Sequence, residues 1–429
     1  MIERTVETEA AAETVSGQIS TRAGAFRALG HRNFRLFFGG QLISLIGTWM
    51  QIVAQGWLVL KLTNSPWMLG VVSFAAYMPI PLVALFAGVI VDQVDRRRLI
   101  ICTQTVMMLS AFTLAALTFT HVVRVEHVII LAALNGFVSS FDMPGRQAFI
   151  VELAGREDLP NAIALNSMAF NGARAVGPAV AGLLIVVSGI AGCFFLNGVS
   201  YIAVIWSLFA MNVPRREQSS FGNVMLTRMR EGLSYSWHHR PTFYLFVVLA
   251  ISAGFSMQYA VLIPFFAAHV LHTGAKGYGF LLAAQGVGAV LGAIGVASKS
   301  HDPRHLRVNL IVGLFAMSAS IAVFGVSRSF PLSLAAQMVN GAGQLSYQAS
   351  TNMMLQLFVA DELRGRVMSI YTVSFIGLAP IGSLEVGFAG AHLGAAIATL
   401  ICAIIGLGGA FLLLSKQRLL NVEQAQASA

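Results

Sequence analysis

The segment that decides the fold lies between positions 88 and 99 and reads Gly88-Val89-Ile90-Val91-Asp92-Gln93-Val94-Asp95-Arg96-Arg97-Arg98-Leu99. Its charged residues are concentrated between Asp92 and Arg98, whereas long apolar segments, approximately 67–91 and 99–120, lie on either side. The hydrocarbon core of a bilayer is about 30 Å thick, so a helix needs about 20 apolar residues to cross it. Both flanking segments satisfy this length. The charged segment is therefore predicted to be a loop between two membrane helices.

The composition of the whole chain extends this prediction. Of the 429 residues, 56% are hydrophobic and only 10% are charged, whereas a soluble globular protein has about 25% charged residues. A larger soluble core does not explain the difference, because long soluble chains divide into domains that each keep a charged surface. We therefore expect an integral membrane protein whose solvent is mostly lipid.

Three features argue against other classes of protein. The three cysteines, Cys102, Cys193 and Cys402, lie in apolar runs, so neither a disulfide framework nor a metal site is expected. Positions 1–25 are polar and lack the hydrophobic region of a signal peptide, so the first apolar segment is expected to remain a membrane helix. The chain has no G-x-S-x-G, H-E-x-x-H or Walker motif and no appended sensor domain. An enzyme, a bound cofactor and a sensor are therefore not expected.

Twelve apolar segments are long enough to span a bilayer. They are approximately 34–60, 67–91, 99–120, 127–147, 162–187, 191–212, 242–268, 278–298, 307–327, 331–355, 366–389 and 392–414. The predicted fold is thus an all-α integral membrane protein with twelve transmembrane helices. Its predicted divisions are a polar tail (1–25), a six-helix half (26–212), a linker (213–241), a second six-helix half (242–414) and a tail (415–429).

The distribution of basic residues predicts the orientation. Of the 27 Lys and Arg residues, only Lys61, Arg124, Lys276 and Arg328 lie in loops on the side opposite the termini, and Arg174 lies inside a span. The remainder lie on the side of the termini, as the positive-inside rule requires of cytoplasmic segments. We therefore expect a multi-pass protein of the plasma (inner) membrane with both termini cytoplasmic. The net charge of +9 is explained without a nucleic acid partner.

The two halves resemble each other. His31-Arg32-Asn33-Phe34 before the first span corresponds to His239-Arg240-Pro241-Thr242-Phe243 before the seventh, and Asn135-Gly136 corresponds to Asn340-Gly341. These pairs occur in the same order and at nearly the same separation, which predicts a repeat of six helices, as in transporters whose halves move about a central site. The linker segment 224–235 is either an amphipathic helix on the inner membrane surface or a solvated connection.

Polar residues form stripes on three of the predicted helices. In the first, Gln41, Ser44, Thr48, Gln51 and Gln55 recur at spacings of three and four, which places them on one helix face. Similar stripes occur in the fourth and tenth spans. A polar side chain in lipid needs a polar partner or water, so the stripes are expected either to line a shared cavity or to join helices by hydrogen bonds. The predicted pathway residues are Gln41, Thr48, Gln51, Gln55, Asn135, Asn340, Gln344 and Tyr347.

The segment 88–99 resembles the loop signature of the major facilitator superfamily, G-x-x-x-D-R-x-G-R-R. Gly88, Asp92, Arg96 and Arg97 match it, while Gln93 and Asp95 replace the usual Arg and Gly. The helix count, topology, linker and half-repeat extend the resemblance over essentially the whole chain. The resemblance implies an inner gate in which Asp142 pairs with Arg96, and in which Asp92 faces the N-terminus of the eleventh helix.

Further motifs resemble exporters. Gly177-Pro178-Ala179-Val180-Ala181-Gly182 is similar to the G-P-x-x-G-G motif of the antiporter branch, with Ala181 in place of one glycine. Gly177 and Pro178 are expected to bend the fifth helix, because proline removes one backbone hydrogen bond. The segments 141–149 and 156–162 are similar to the subgroup of macrolide, tetracycline and siderophore exporters. The antiporter arginine expected four residues before Gly136 is Ala132 here, so the usual proton-coupling site is incomplete.

The expected function is secondary active export of an amphipathic small molecule by alternating access, with proton antiport. Met and aromatic residues in the spans suit varied amphipathic ligands. The candidate proton carriers are Asp142 and Glu385, the latter expected to be buried near the outer end of the eleventh helix. The alternative is uptake or facilitated transport of a small metabolite. The expected partners are the small-molecule substrate, protons and the bilayer, and the protein is expected to function as a monomer.

Overall fold

The computed structural model describes residues 26–212, 235–298 and 302–420. Every regular element in these ranges is helical, and no strand occurs in them. The prediction of an all-α membrane protein is confirmed. The predicted N-terminal tail, most of the linker and the last nine residues of the C-terminal tail lie outside the described ranges. The predicted domain boundaries therefore stay predictions.

Twelve spans, α1 to α12, follow one another along the chain. Their bounds are α1 Arg32–Thr63, α2 Pro66–Tyr77 continued by Pro79–Gln93, α3 Arg96–Phe119, α4 Val125–Gly155, α5 157–188, α6 190–209, α7 Arg240–Val270, α8 Gly274–Ala297, α9 Pro303–Val326, α10 Phe330–Phe358, α11 Asp361–Gly377 continued by Ala379–His392, and α12 Ala395–Ser415. Ten helices in the described ranges are individually long and apolar enough to cross a membrane. Gly189 divides one of these into α5 and α6, and the more polar α10 completes the twelve.

Glycine and proline mark the places where the helices break. The helical run Val125–Phe209 is interrupted at Gly155 (φ 70°, ψ 173°) and Gly189 (φ 73°, ψ 178°). Both lie in the positive-φ region that glycine adopts without steric cost. In α2, Pro79 begins the second piece, at a position where a missing N–H is tolerated. The chain thus turns between α4, α5 and α6 within two or three residues.

The α1–α6 half and the α7–α12 half meet along two pairs of helices. We call the end of the bundle that carries Arg32 and Arg96 the basic end and the opposite end the far end. Near the far end, Gly70 of α2 packs against Gly387 of α11, and Gly182 of α5 packs against Gly279 of α8. A side chain at any of the four would meet backbone atoms. Small residues allow this close approach of helices in lipid.

Polar contacts between the halves supplement this packing. His269 of α7 lies 2.7 Å from Asn64, which follows α1, and Ser383 of α11 donates a hydrogen bond of 3.5 Å to the carbonyl of Gly70. Trp57 of α1 stacks on Tyr278 of α8, close to Gly279. These contacts join the halves near the far end.

Candidate functional site

Arg174 lies at the middle of α5 and contacts both halves of the protein. Its Nη2 donates a hydrogen bond of 3.1 Å to Oε1 of Gln344 in α10. Its guanidinium carbon lies 5.8 Å from the centroid of the Trp49 ring in α1. The hydroxyls of Tyr259 in α7 and Tyr77 in α2 are near enough to interact with it electrostatically. Four helices other than its own thus surround this side chain, which places it at the centre of the bundle.

The backbone around Arg174 is held tightly against α8. A Cβ built on Gly286 would lie 2.7 Å from the carbonyl oxygen of Arg174 and 2.5 Å from the Cα of Ala175. Pro178, one turn later, has no N–H and cannot donate the usual helical hydrogen bond to the carbonyl of Arg174. Glycine on α8 therefore allows α5 and α8 to approach closely at Arg174.

Polar residues of α10 form a connected group next to Arg174. Gln285 of α8 donates hydrogen bonds to Asn340 at 2.9 Å and to Gln344 at 3.3 Å. Asn340 in turn donates to the carbonyl of Met317 at 3.3 Å. The amide of Gln344 is held from two sides, by Arg174 and by Gln285, which orients its oxygen toward the guanidinium. The predicted stripe on α10 therefore supplies both interhelical contacts and one contact across the halves.

The centre is partly accessible and has apolar walls. Arg174, Gln344 and Trp49 are each partly exposed, and their neighbours belong to helices of both halves. Phe170, one turn before Arg174, contacts Trp49 edge to face at 5.7 Å, and Met257 contacts the Gln344 amide. One cation beside aromatic and thioether groups is an arrangement that accommodates an amphipathic ligand.

The predicted pathway residues divide into two groups. Gln41 and Gln51 of α1 are buried; Gln41 donates to Asn166 at 2.9 Å, and Gln51 accepts from Asn197 at 2.5 Å. These bonds join α1 to α5 and α6 within one half. Thr48 is partly exposed but bonds the carbonyl of its own helix at Ser44. Asn340 and Tyr347 are buried, whereas Gln55, Asn135 and Gln344 are partly exposed. The stripe on α1 therefore acts in this conformation mainly as interhelical contact.

In place of the predicted Asp142–Arg96 pair, the two residues form three other pairs. Arg96 binds Glu152 of α4 at 2.5 Å and Asp92 at 3.5 Å. Asp142 is buried and pairs with Arg146 one turn along α4 at 2.7 Å. The interhelical partner of Arg96 thus lies nearer the basic end of α4 than Asp142 does. The structure therefore joins the 88–99 loop to α4 through Glu152 rather than through Asp142, and the gating role of these residues stays a prediction.

Asp142 is the centre of a buried network. Besides Arg146, its Oδ1 accepts hydrogen bonds from Thr103 Oγ1 at 2.6 Å and from Gln104 Nε2 at 2.9 Å, both on α3. Tyr201 of α6 lies close enough to interact electrostatically with Asp142 and Arg146. The network thus connects three helices of the first half.

The remaining residues of the 88–99 segment are placed at the basic end. The side chain of Asp92 is 58% exposed. Arg97 donates to the carbonyls of Leu208 at 2.8 Å and Phe209 at 3.3 Å, which end α6. A cation at the carbonyl end of a helix is favourable because of the helix dipole. A Cβ on Gly88 would meet no atom within 4 Å. The contact of Asp92 with α11 stays a prediction.

One further expectation needs correction. Glu385, expected to be buried, is exposed on α11, because its side of the helix turns away from the packed Ser383–Gly387 face. Gly177 and Pro178 keep helical backbone dihedral angles, since the non-helical residues within Val125–Phe209 are Gly155 and Gly189. Gly177 and Gly182 allow close approach, to α1 and α8 respectively. The bend at Gly177 and Pro178 stays a prediction.

Arg174 is the residue that the sequence reasoning placed inside a span without giving it a role. An arginine at the centre of a membrane helix costs about 2.5–3.5 kcal/mol on insertion scales, and such residues are by default functional candidates. That criterion alone would have identified it. Among the residues that the structure describes, no group of His, Cys, Asp and Glu has the arrangement of a metal site.

Comparison with known proteins supports a transporter. The chain is 25% identical to the staphyloferrin A transporter of Staphylococcus aureus, over 82% of this chain and 87% of that protein. It is 27% identical to the multidrug efflux pump Tap of Mycolicibacterium fortuitum, over 87% of this chain and 90% of the pump. It is 24% identical to the macrolide efflux protein A of Streptococcus pyogenes, over 81% of this chain and 87% of that protein.

Solved structures show the same fold at low sequence identity. A bacterial homologue of the human lysosomal transporter Spinster, in an inward-facing and occupied conformation, matches with a TM-score of 0.69 and 13% identity, over 90% of this chain and 97% of that one. The nucleoside transporter NupG matches with a TM-score of 0.65 and 12% identity, over 90% and 98%. The family model described as transmembrane secretion effector matches residues 23–429. The chain therefore belongs to the transmembrane secretion effector family of the major facilitator superfamily.

Proposed function

We propose that this protein is a secondary active exporter of amphipathic small molecules, resembling drugs or siderophores, across the inner membrane. The observation that carries the proposal is the similarity, over about four fifths of the chain, to relatives named as efflux pumps and a siderophore transporter. The site between the halves supports it, because Arg174 and Gln344 offer polar contacts among apolar walls. The protein would need no cofactor, would catalyse no covalent reaction and would act as a monomer.

Alternating access is the mechanism that we propose for this exporter. In the described conformation the glycine pairs Gly70–Gly387 and Gly182–Gly279 hold the far end together. Release of substrate at the far end then requires these pairs to separate while the basic end closes. The 88–99 segment lies at the basic end, where we expect its exposed Asp92 to face the N-terminus of α11 when that end closes. In transporters of this kind, the two six-helix halves generally rock against each other around a fixed site.

Proton antiport is the coupling that we propose. Asp142 is the better placed of the two candidate proton carriers, because it is buried in the bundle, whereas Glu385 is exposed on α11. Protonation of Asp142 would break its pair with Arg146 and weaken the connection between α3 and α4. The proton would thereby change the packing of the first half. Glu385 is kept as a second candidate for mutagenesis.

Orientation is testable with single cysteines. We propose that the basic end and both termini face the cytoplasm. In a variant in which the exposed Cys102 is replaced by serine, cysteines at Lys276 and Arg328 should react with an impermeant thiol reagent added to intact cells, and one at Arg98 should react only after lysis. Labelling of the Arg98 position in intact cells would reverse the proposed orientation.

Export itself is tested by accumulation. In a bacterium that lacks its major pumps, expression of the protein should lower the accumulation of several amphipathic compounds, and a protonophore should restore it. Reconstituted vesicles with an imposed pH gradient then separate coupling from cellular effects. Higher accumulation in the expressing cells would instead favour the alternative function, uptake or facilitated transport of a small metabolite.

A further inference from the structure

Arg174 differs from Arg96 and Arg146 because it has no carboxylate partner. Arg146 pairs with Asp142, and Arg96 pairs with Glu152 and Asp92. Among the described residues, no Asp or Glu oxygen lies within 4.0 Å of Arg174, and its one hydrogen bond is to the neutral amide of Gln344. The space between the halves therefore contains one uncompensated positive charge.

The guanidinium also has donors to spare. An arginine carries five N–H donors, and a single one of them, on Nη2, is bonded to a described residue. Trp49 covers the cation from one side at 5.8 Å. The hydroxyls of Tyr259 and Tyr77, the two tyrosines near the cation, carry no negative charge that would compensate it. A free edge of a guanidinium presents two parallel N–H groups, and this is the geometry that binds a carboxylate in bidentate fashion.

The walls beside Arg174 suit the apolar part of the same ligand. Phe170 lies one helical turn before Arg174 on α5, so both side chains emerge on the same face, and Phe170 is 44% exposed. It meets the Trp49 ring edge to face. Met257 contributes a thioether on the opposite half, next to Gln344. A molecule with an anionic group and an aromatic or aliphatic body would fill both parts of this site.

We propose that Arg174 binds a carboxylate group of the transported molecule and that the substrates are amphipathic organic acids. The proposal rests on the proposed transport function and narrows its substrate class. The same charge disfavours cationic compounds at this position, since a second cation beside an unpaired guanidinium is repelled.

The test is equilibrium binding to the purified full-length protein in lipid nanodiscs. The probes are 4-(1-pyrenyl)butanoic acid, its methyl ester and a pyrenylbutyl ammonium salt, which share one apolar body and differ in charge. Wild type should bind the acid about 10- to 100-fold more tightly than the ester, as expected for a hydrogen bond to a charged group. The ammonium probe should bind most weakly.

The variants isolate Arg174. Arg174→Gln should bind acid and ester equally, and Arg174→Lys should keep part of the preference, because lysine retains the charge but not the planar pair of donors. Arg328→Gln, an exposed arginine in a far-end loop, should keep the full preference and serves as the matched control. Melting temperatures of all variants identify any that are misfolded. If Arg174→Gln is misfolded, the Arg174→Lys variant is used instead. A reduced preference of this variant for the acid over the ester supports the proposal, and an unchanged preference contradicts it.

Two results would overturn the proposal: wild type that does not distinguish the acid from the ester, and a folded Arg174→Gln protein that retains the distinction. In either case Arg174 is a structural residue. Binding in nanodiscs is measured without a gradient, so it does not depend on the direction or coupling of transport. If the protein prefers the acid in binding but exports nothing in cells, only the exporter proposal is contradicted. If it exports compounds but does not prefer the acid, only the proposal that Arg174 binds a carboxylate is contradicted.

Discussion

Gly70 of α2 and Gly387 of α11 approach so closely that a Cβ on Gly70 would lie 3.0 Å from the Cα of Gly387. The pair formed by Gly182 of α5 and Gly279 of α8 has the same character, with a Cβ on Gly279 lying 2.8 Å from the Cα of Gly182. Gly70 and Gly279 are separated along the chain by nearly the same interval as Gly182 and Gly387. The two contacts that hold the far end together are therefore related by the repeat of the halves.

We expect Gly279→Ala to open this far-end contact. The new methyl group would meet the backbone of α5 at Pro178 and Gly182, and backbone atoms cannot move aside as a flexible side chain can. A cysteine at Ser383, which is buried beside Gly70, should then be labelled several-fold faster in membranes, and transport should fall. Gly295→Ala, on the same helix but with no atom within 4 Å of its Cβ, is the control. Unchanged labelling of the Ser383 cysteine in Gly279→Ala would show that the two glycine pairs do not close the far end.

Asp142→Asn should destabilise the protein. Its side chain is 8% exposed and that of Arg146 is 12% exposed, so the substitution leaves a buried guanidinium without its carboxylate, a change that costs about 3–5 kcal/mol. The double variant Asp142→Asn/Arg146→Gln should recover a large part of this loss, because it removes the unpaired charge. Thermal unfolding of the purified proteins measures both. Equal stability of wild type and Asp142→Asn would mean that the pair contributes nothing to the folded state.

Gln51→Leu and Gln55→Leu should differ although the residues lie one turn apart. Gln51 is buried and accepts a hydrogen bond from Asn197, so its loss should lower the melting temperature and weaken export of every compound alike. Gln55 is partly exposed, and its replacement should change the relative export of different compounds by a few-fold, as expected for a neutral hydrogen bond of about 0.5–1.5 kcal/mol. The same selectivity profile in both variants would remove Gln55 from the pathway.

Acid should destabilise the start of α7 through His239. Burial against Tyr235 and Phe358 lowers the pKa of this imidazole below its ordinary value of 6.5. The unfolded chain therefore binds a proton more readily than the folded protein, and stability is lost as the pH falls through 6.5. The melting temperature of wild type should decrease more between pH 7.5 and 5.5 than that of His239→Gln. His121→Asn, a substitution at an exposed histidine, is the control and should behave as wild type. If His239→Gln keeps the full acid sensitivity of wild type, His239 is not the cause of the destabilisation.

Local sequence was sufficient for the helices but not for the partners of their polar residues. The length and hydropathy of each segment follow from the requirement that a helix cross lipid, so the twelve spans were predictable, including the polar α10. The spacing of Gln41, Gln51 and Gln55 places them on one helix face, but it does not say which helix that face meets. Gln51 meets Asn197 of α6 because α1 packs inside its own half.

The choice between acids failed for the same reason. Asp142 and Glu152 both lie on α4. Which of the two carboxylates comes within reach of Arg96 depends on how α3 and α4 cross. Glu385 was expected to be buried because its surroundings in the sequence are apolar, yet an apolar helix at the surface of a membrane protein has lipid-facing and buried sides of similar composition. Packing, which the sequence does not state, decides between them.

The unpaired guanidinium of Arg174 also has an electrical consequence. When a monoanion binds, the centre of the carrier is neutral, and when the anion leaves, the centre carries one positive charge. An exporter of organic acids therefore returns toward the cytoplasm in its charged form, and a potential that is negative inside favours this return by up to about 2.3 kcal/mol per 100 mV. A proton that enters in exchange moves a second charge in the same direction. Voltage would then drive export together with the pH gradient, and a cell that keeps its potential in an alkaline medium would continue to expel the substrate.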